Sequence, residues 1–227
     1  IARKGIRTVG VDFAPSMIRV AQSRIRTDEK NITFVVGSIF DFEMGESKYD
    51  VIAANGFIEY ISLEQMKDFF TRSHKALTKD GSFVFSSRNR LFNLFSANRF
   101  TEGEIRSKTV TALLKESVAL VKGTSLSELM KVKPAALSNK AQEQQNTGID
   151  VFVRYQYTPV QLMQLLKKYG FETVAVSPVH VHLANPEFKK KHQELHFKIA
   201  NLLYPYTYNE CALIPHASTF MLHAKKK

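Results

Sequence analysis

Short apolar runs alternate with amphipathic stretches over residues 1–90, the pattern of strands separated by helices. The runs are residues 6–11, 32–36, 49–54 and 82–87. Each is bounded by turn residues, as expected of strands whose two faces are both covered by helices. Between them, residues 15–26 carry Met17, Ile18, Ala21 and Ile25 on one side, and residues 63–77 carry Leu63, Met66, Phe69, Phe70 and Leu77. The second helix begins with Ser62 and has Gln65 three residues later, a reciprocal capping pattern. This alternation predicts a parallel sheet with right-handed crossovers.

The same rhythm returns late in the chain. Thr158-Pro159-Val160-Gln161 starts a helix over 159–169, with Pro at its first position. Gly170 stops it, and strands follow over 171–176 and 217–224. Between Asn89 and Tyr157 the rhythm breaks. Helical patches over 110–121 and 126–130 and a polar segment over 138–148 make this stretch too long for a plain connection. We therefore expect a core formed by residues 1–88 and 156–227, and a helical insertion, residues 89–155, covering the site with a mobile polar part. A further helix is expected over 187–203.

At 227 residues with 44% apolar content, the chain can bury one full core. No run of 18 apolar residues exists, so no spanning helix is expected. A single cysteine, Cys211, precludes an internal disulfide and fits a reducing, cytoplasmic setting. The net charge of 32 − 21 = +11 favours anionic partners. The basic residues are dispersed and show no nucleic-acid motif, so nucleic acid is not the expected partner. Oligomeric state is not legible. Ala2-Arg3-Lys4-Gly5 reads as the last turn of a helix, so further elements are expected before Ile1.

Asp12 ends the first strand just before the helix at Pro15. A carboxylate at the carboxyl end of a parallel strand lies where nucleotides bind in open α/β sheets, and its oxygens can accept from both hydroxyls of a ribose. Taken in order, residues 9–18, 34–40, 49–56, 77–85 and 165–171 resemble the class I S-adenosylmethionine-dependent methyltransferases. The resemblance implies an α/β, Rossmann-like, mostly parallel sheet of the seven-strand methyltransferase type. That family's first strand and its Gly-rich loop have no counterpart in this sequence, and the loop is expected upstream of Ile1.

The resemblance also implies roles. Asp12, with Phe13 beside it, would hold the ribose of S-adenosylmethionine. Ser38 and Ile39 would frame the adenine, Ser38 standing where many relatives carry Asp. Asn55 and Gly56 would face the methionine part. Tyr60, Arg88 and Asn89 would border the acceptor, with Arg88-Asn89-Arg90 forming a basic cluster suited to a phosphate or carboxylate.

His180 is the candidate general base. His180 and His182 alternate in an extended segment and are expected to point to one side. No third ligand is evident, so no metal site is expected. The leading reading is methyl transfer to a small-molecule acceptor, such as a sugar nucleotide or phosphorylated metabolite. An RNA or protein methyltransferase and a non-catalytic Rossmann-like module are the alternatives.

Overall fold

The computed structural model describes residues 4–25, 31–137, 142–143, 153–182, 184–207 and 210–227, with backbone alone at 142–143 and 153–154. The chain divides into two compact units, Ile1–Gly45 and Glu46–Lys227.

In the first unit, β1 (Thr8–Asp12), α1 (Pro15–Ser23) and β2 (Ile32–Val36) follow in order. The strands pair in parallel, with Asp12 opposite Val36. Gly10 is dictated by this pairing, because a Cβ there would lie 2.7 Å from the Phe34 ring. Pro15 opens α1 with its fixed φ at a position where its missing N–H costs nothing. The helix stops at Ser23 rather than continuing to 26, as the Arg24 N–H closes onto the Ala21 carbonyl and the Ile25 N–H onto that of Gln22. Of its apolar residues only Ile18 is fully buried.

The second unit opens with β3 (Tyr49–Ala54), a 3-10 turn (Ile58–Tyr60), α2 (Leu63–Ala76) and β4 (Leu77–Arg88). Four helices follow: α3 (Asn93–Ser96), α4 (Arg99–Arg106), α5 (Val110–Val121) and α6 (Leu126–Leu129). Then come β5 (Gln142–Glu143), β6 (Val153–Arg154), α7 (Pro159–Lys168), β7 (Phe171–Val181), α8 (Pro186–Lys191), α9 (Gln193–Leu203) and β8 (Ala217–Lys226). The main sheet has the order β3-β4-β8-β7. β3 and β4 are parallel, whereas β8 pairs antiparallel with both β4 and β7. Within this sheet β8 therefore runs against the other three strands.

Both anticipated capping boxes form. Ser62 Oγ accepts from Gln65 N at 3.1 Å while Gln65 Oε1 accepts from Ser62 N at 2.9 Å, and Thr158 and Gln161 repeat the exchange. The core of this unit is a phenylalanine cluster. Phe83 lies 5.6 Å from Phe70, 5.2 Å from Phe171 and 4.8 Å from Phe85, ring centre to ring centre. Edge-on and tilted pairs of this kind add to the burial of their area. β7 extends to Val181, beyond the expected 176, because its pairing with β8 continues to Ala217.

Two expectations change. The helix anticipated over 187–203 is two helices, broken at His192, whose backbone leaves the helical region at φ −132° and ψ 56°. Asn185 caps the first of them, accepting from Phe188 N at 3.0 Å, with Pro186 at its start. The six-residue α8 is thus a self-contained turn set by Asn-Pro. The polar segment 138–148 lies outside the described residues except for Gln142 and Glu143, whose backbone pairs antiparallel with β6.

Candidate functional site

In the first unit, Asp12 lies at the carboxyl end of β1, half-buried. Its Oδ1 accepts from Ala14 N at 2.8 Å, which shapes the turn into α1. Its carbonyl accepts from Gly37 N at 2.9 Å, so the ends of β1 and β2 lie side by side. Ser38 follows at once. Its Oγ accepts from Phe40 N at 3.2 Å and its carbonyl from Asp41 and Phe42, winding a turn beside Asp12. Ile39 is half-buried in that turn, and Phe13 is 68% exposed. This rim fits a nucleoside: a carboxylate with one oxygen committed to the chain, a hydroxyl-bearing turn and an apolar side chain.

In the second unit, Asn55 and Gly56 follow β3 directly and are exposed. Gly56 is required by its φ of +59°, while nothing lies within 4 Å of where a Cβ would stand. Its N–H donates to Ser86 Oγ on β4 at 2.8 Å. Tyr60 is half-buried in the 3-10 turn that follows.

The basic cluster at the end of β4 separates into three fates. Arg88 is half-buried, and its side chain makes no hydrogen bond or ion pair among the described residues. Asn89, 2% exposed, is spent on the fold. Its Nδ2 donates to Ile214 O at 2.7 Å and Ala217 O at 2.8 Å, and its Oδ1 accepts from Leu91 N. Arg90 is not a solvated loop charge but is 3% exposed. Its Nε and Nη2 each donate to Glu104 at 2.9 Å, a bidentate pair, and Nη1 donates to Ala136 O at 2.5 Å.

Glu104 also accepts from Asn93 Nδ2 at 2.9 Å and from the Thr109 hydroxyl. Burial works to raise its pKa, but Arg90, Thr109 and Asn93 outweigh it, and the carboxyl lies below its ordinary value.

The expectation that His180 and His182 face one side is corrected. His180 takes φ +55° at the end of β7, which breaks the alternation. His180 is exposed and His182 is 7% exposed. The His182 ring lies 5.0 Å from Phe92 and 5.1 Å from His196. Burial, then the neighbouring His196, pushes its pKa down to about 4, so it is neutral at pH 7. Among the described residues no three His, Cys, Asp or Glu side chains are grouped to hold a metal. No helix there is long and apolar enough to cross a membrane.

A cavity of about 170 Å³ opens at the end of β4, with Arg88 and Asn89 in its wall beside Phe92, Asn93, Phe100 and Gln156. Sequence reasoning reached Arg88 and Asn89 but missed the other four. Three of these lie in the stretch assigned to an insertion. Their one available signal was the clustering of Phe and Asn directly after a strand end.

Residues 1–81 match the family model described as a methyltransferase domain. Among curated proteins no match is found. Among solved structures, a putative S-adenosylmethionine-dependent methyltransferase from Listeria monocytogenes aligns over 96% of this chain and 79% of its own, with 16% identity and a TM-score of 0.55. A 1,6-didemethyltoxoflavin-N1-methyltransferase from Burkholderia thailandensis, with bound 1,6-didemethyltoxoflavin and S-adenosylhomocysteine, aligns over 99% of this chain and 63% of its own, with 14% identity and a TM-score of 0.50. The 4+2 cyclase SpnF aligns over 99% and 69%, with 13% identity and a TM-score of 0.55. The chain thus has the Rossmann-like fold of the S-adenosylmethionine-dependent methyltransferases, and its residues 1–81 match the model of a methyltransferase domain.

Proposed function

We propose that the protein transfers a methyl group from S-adenosylmethionine to a small, anionic acceptor. One observation carries the reading: the family model covers the β1–α1–β2 unit, and in that unit Asp12 ends β1 opposite Val36, the last residue of the parallel β2, with Ser38 in the turn that follows. Asp12 offers its uncommitted oxygen to the ribose, and the turn at Ser38 and Ile39 borders the adenine. Asn55 and Gly56, just after β3, are the residues of the second unit assigned to the methionine part. The cofactor supplies a sulfonium methyl open to in-line attack. The chain's work is to hold the reactants in line and exclude water. His180, exposed at the end of β7, is the base proposed for an acceptor hydroxyl; a neutral amine needs none. The 89–155 stretch, proposed as a cover, supplies much of the acceptor's surroundings.

Calorimetric titration with S-adenosylhomocysteine tests the reading. Asp12→Ala should weaken binding by about 1.5–3 kcal/mol, the range for hydrogen bonds to a charged group. Asp12→Asn keeps an acceptor for Ala14 N and should still lose affinity, separating ribose contact from turn geometry. Equal affinity in all three proteins removes Asp12 from the site. Because a cyclase shares the fold, turnover is read as release of S-adenosylhomocysteine.

A further inference from the structure

We infer that the cavity at the end of β4 seats a compact organic anion with a flat apolar body, a carboxylate or phosphate monoester no larger than a single substituted ring. The inference rests on the methyl-transfer reading and names its acceptor class. Of the cavity's wall residues, Arg88 alone is charged, and none is Asp or Glu. The residue is half-buried and its side chain has no hydrogen-bond or ion-pair partner among the described residues, although its guanidinium offers five N–H donors in a planar fork. Such a group keeps its donors for a ligand, and the fork matches carboxylate and phosphate oxygens.

The other polar wall groups are already committed. Asn93 Nδ2 donates to Glu104 and, at 2.6 Å, to Gln156 Oε1. Asn98 Oδ1 accepts from Phe100 N at 2.9 Å. Glu104 is neutralised by Arg90, two residues beyond Arg88. The cavity therefore carries the unshared charge of Arg88 beside side chains engaged mainly with one another and with the backbone.

Phe92 and Phe100 provide the apolar faces. Phe92 packs on His182 at 5.0 Å and Phe95 at 5.6 Å, which fixes its ring in the wall, and aromatic faces of this kind suit a flat ligand. The volume, about 170 Å³, falls short of the roughly 300–1,000 Å³ of pockets for drug-sized ligands. That size disfavours a nucleotide-linked sugar and leaves the small ring acids.

The test titrates the full chain with benzoate, phenyl phosphate and uncharged benzyl alcohol, following amide chemical shifts. At least one anion should bind tenfold or more tightly than the alcohol, and the tighter one identifies the head group. Arg88→Gln should weaken that anion at least tenfold, Arg88→Lys should lose less, and neither should change affinity for S-adenosylhomocysteine. Anions binding no better than benzyl alcohol on the wild-type chain overturn the proposal, whatever the variants do. So does undiminished anion binding by a folded Arg88→Gln. Anion binding without binding of S-adenosylhomocysteine supports the cavity and sinks the methyl-transfer reading; the reverse sinks the cavity alone.

Discussion

Two carboxylates on successive helices are both buried and behave in opposite ways. Glu104, on α4, sits among a guanidinium, an amide and a hydroxyl and is held ionised. Glu116, on α5, is fully buried, accepting from Val160 N at 2.9 Å at the start of α7. Burial pushes its carboxyl up to about 7, against weaker help from Val160, Thr158 and Arg90. Burial sets the cost of a charge, and the number and charge of its partners decide whether it is borne. The first seat is a cross-link tying the end of β4 to α4. The second is a cap on α7 that works best with its proton on.

The strongest way to break the contrast is Arg90→Ala. It leaves Glu104 buried without its cation and should lower stability by about 3–5 kcal/mol, read by urea unfolding at pH 7. A loss below about 1 kcal/mol would mean that Asn93 and Thr109 alone support the charge. Adding Glu104→Leu should recover much of the loss.

Glu116 gives the opposite sign. Its folded pKa is about 7 against an ordinary 4.5, so the native state holds the extra proton between those values. Its contribution is fully present below pH 4.5 and is lost as pH rises to 7. Glu116→Gln keeps the acceptor for Val160 and should stabilise the chain at pH 8 by up to about 3 kcal/mol, at about 1.4 kcal/mol per pKa unit. A variant less stable than wild type at pH 8 would show that the carboxylate is solvated there.

His182 extends the rule to a base, with a smaller effect. Its pKa falls from 6.5 to about 4, so the unfolded chain binds the extra proton in that interval and stability is lost as pH falls from 6.5 towards 4. His182→Phe should gain about 2 kcal/mol at pH 5 and little at pH 8. Glu116 and His182 have opposed slopes over nearly the same pH range. The wild-type profile should therefore be flatter than that of either variant, and a variant profile matching it would remove that residue from the balance.

What could be read from the chain alone was what local physics controls. The strands at Ile32–Val36 and Tyr49–Ala54, the helix Val110–Val121 and the caps at Ser62 and Thr158 follow from side-chain period and from hydrogen bonds three residues apart. The order of these elements carried the resemblance, and with it Asp12 and Ser38 at neighbouring strand ends.

What only the tertiary structure decided was the fate of each polar group. Arg88, Asn89 and Arg90 read as one basic cluster. Yet Asn89 is claimed by carbonyls at 214 and 217, Arg90 by Glu104 and Ala136, and Arg88 by no described residue. His180 and His182 read as a pair facing one way, until a positive φ at His180 turned one outward and the other against Phe92. The reason is range. A hydrophobic period is written in residues three or four apart, whereas the partner that satisfies a buried polar or charged side chain arrives from 14, 46 or 125 positions away, and no local pattern records its arrival.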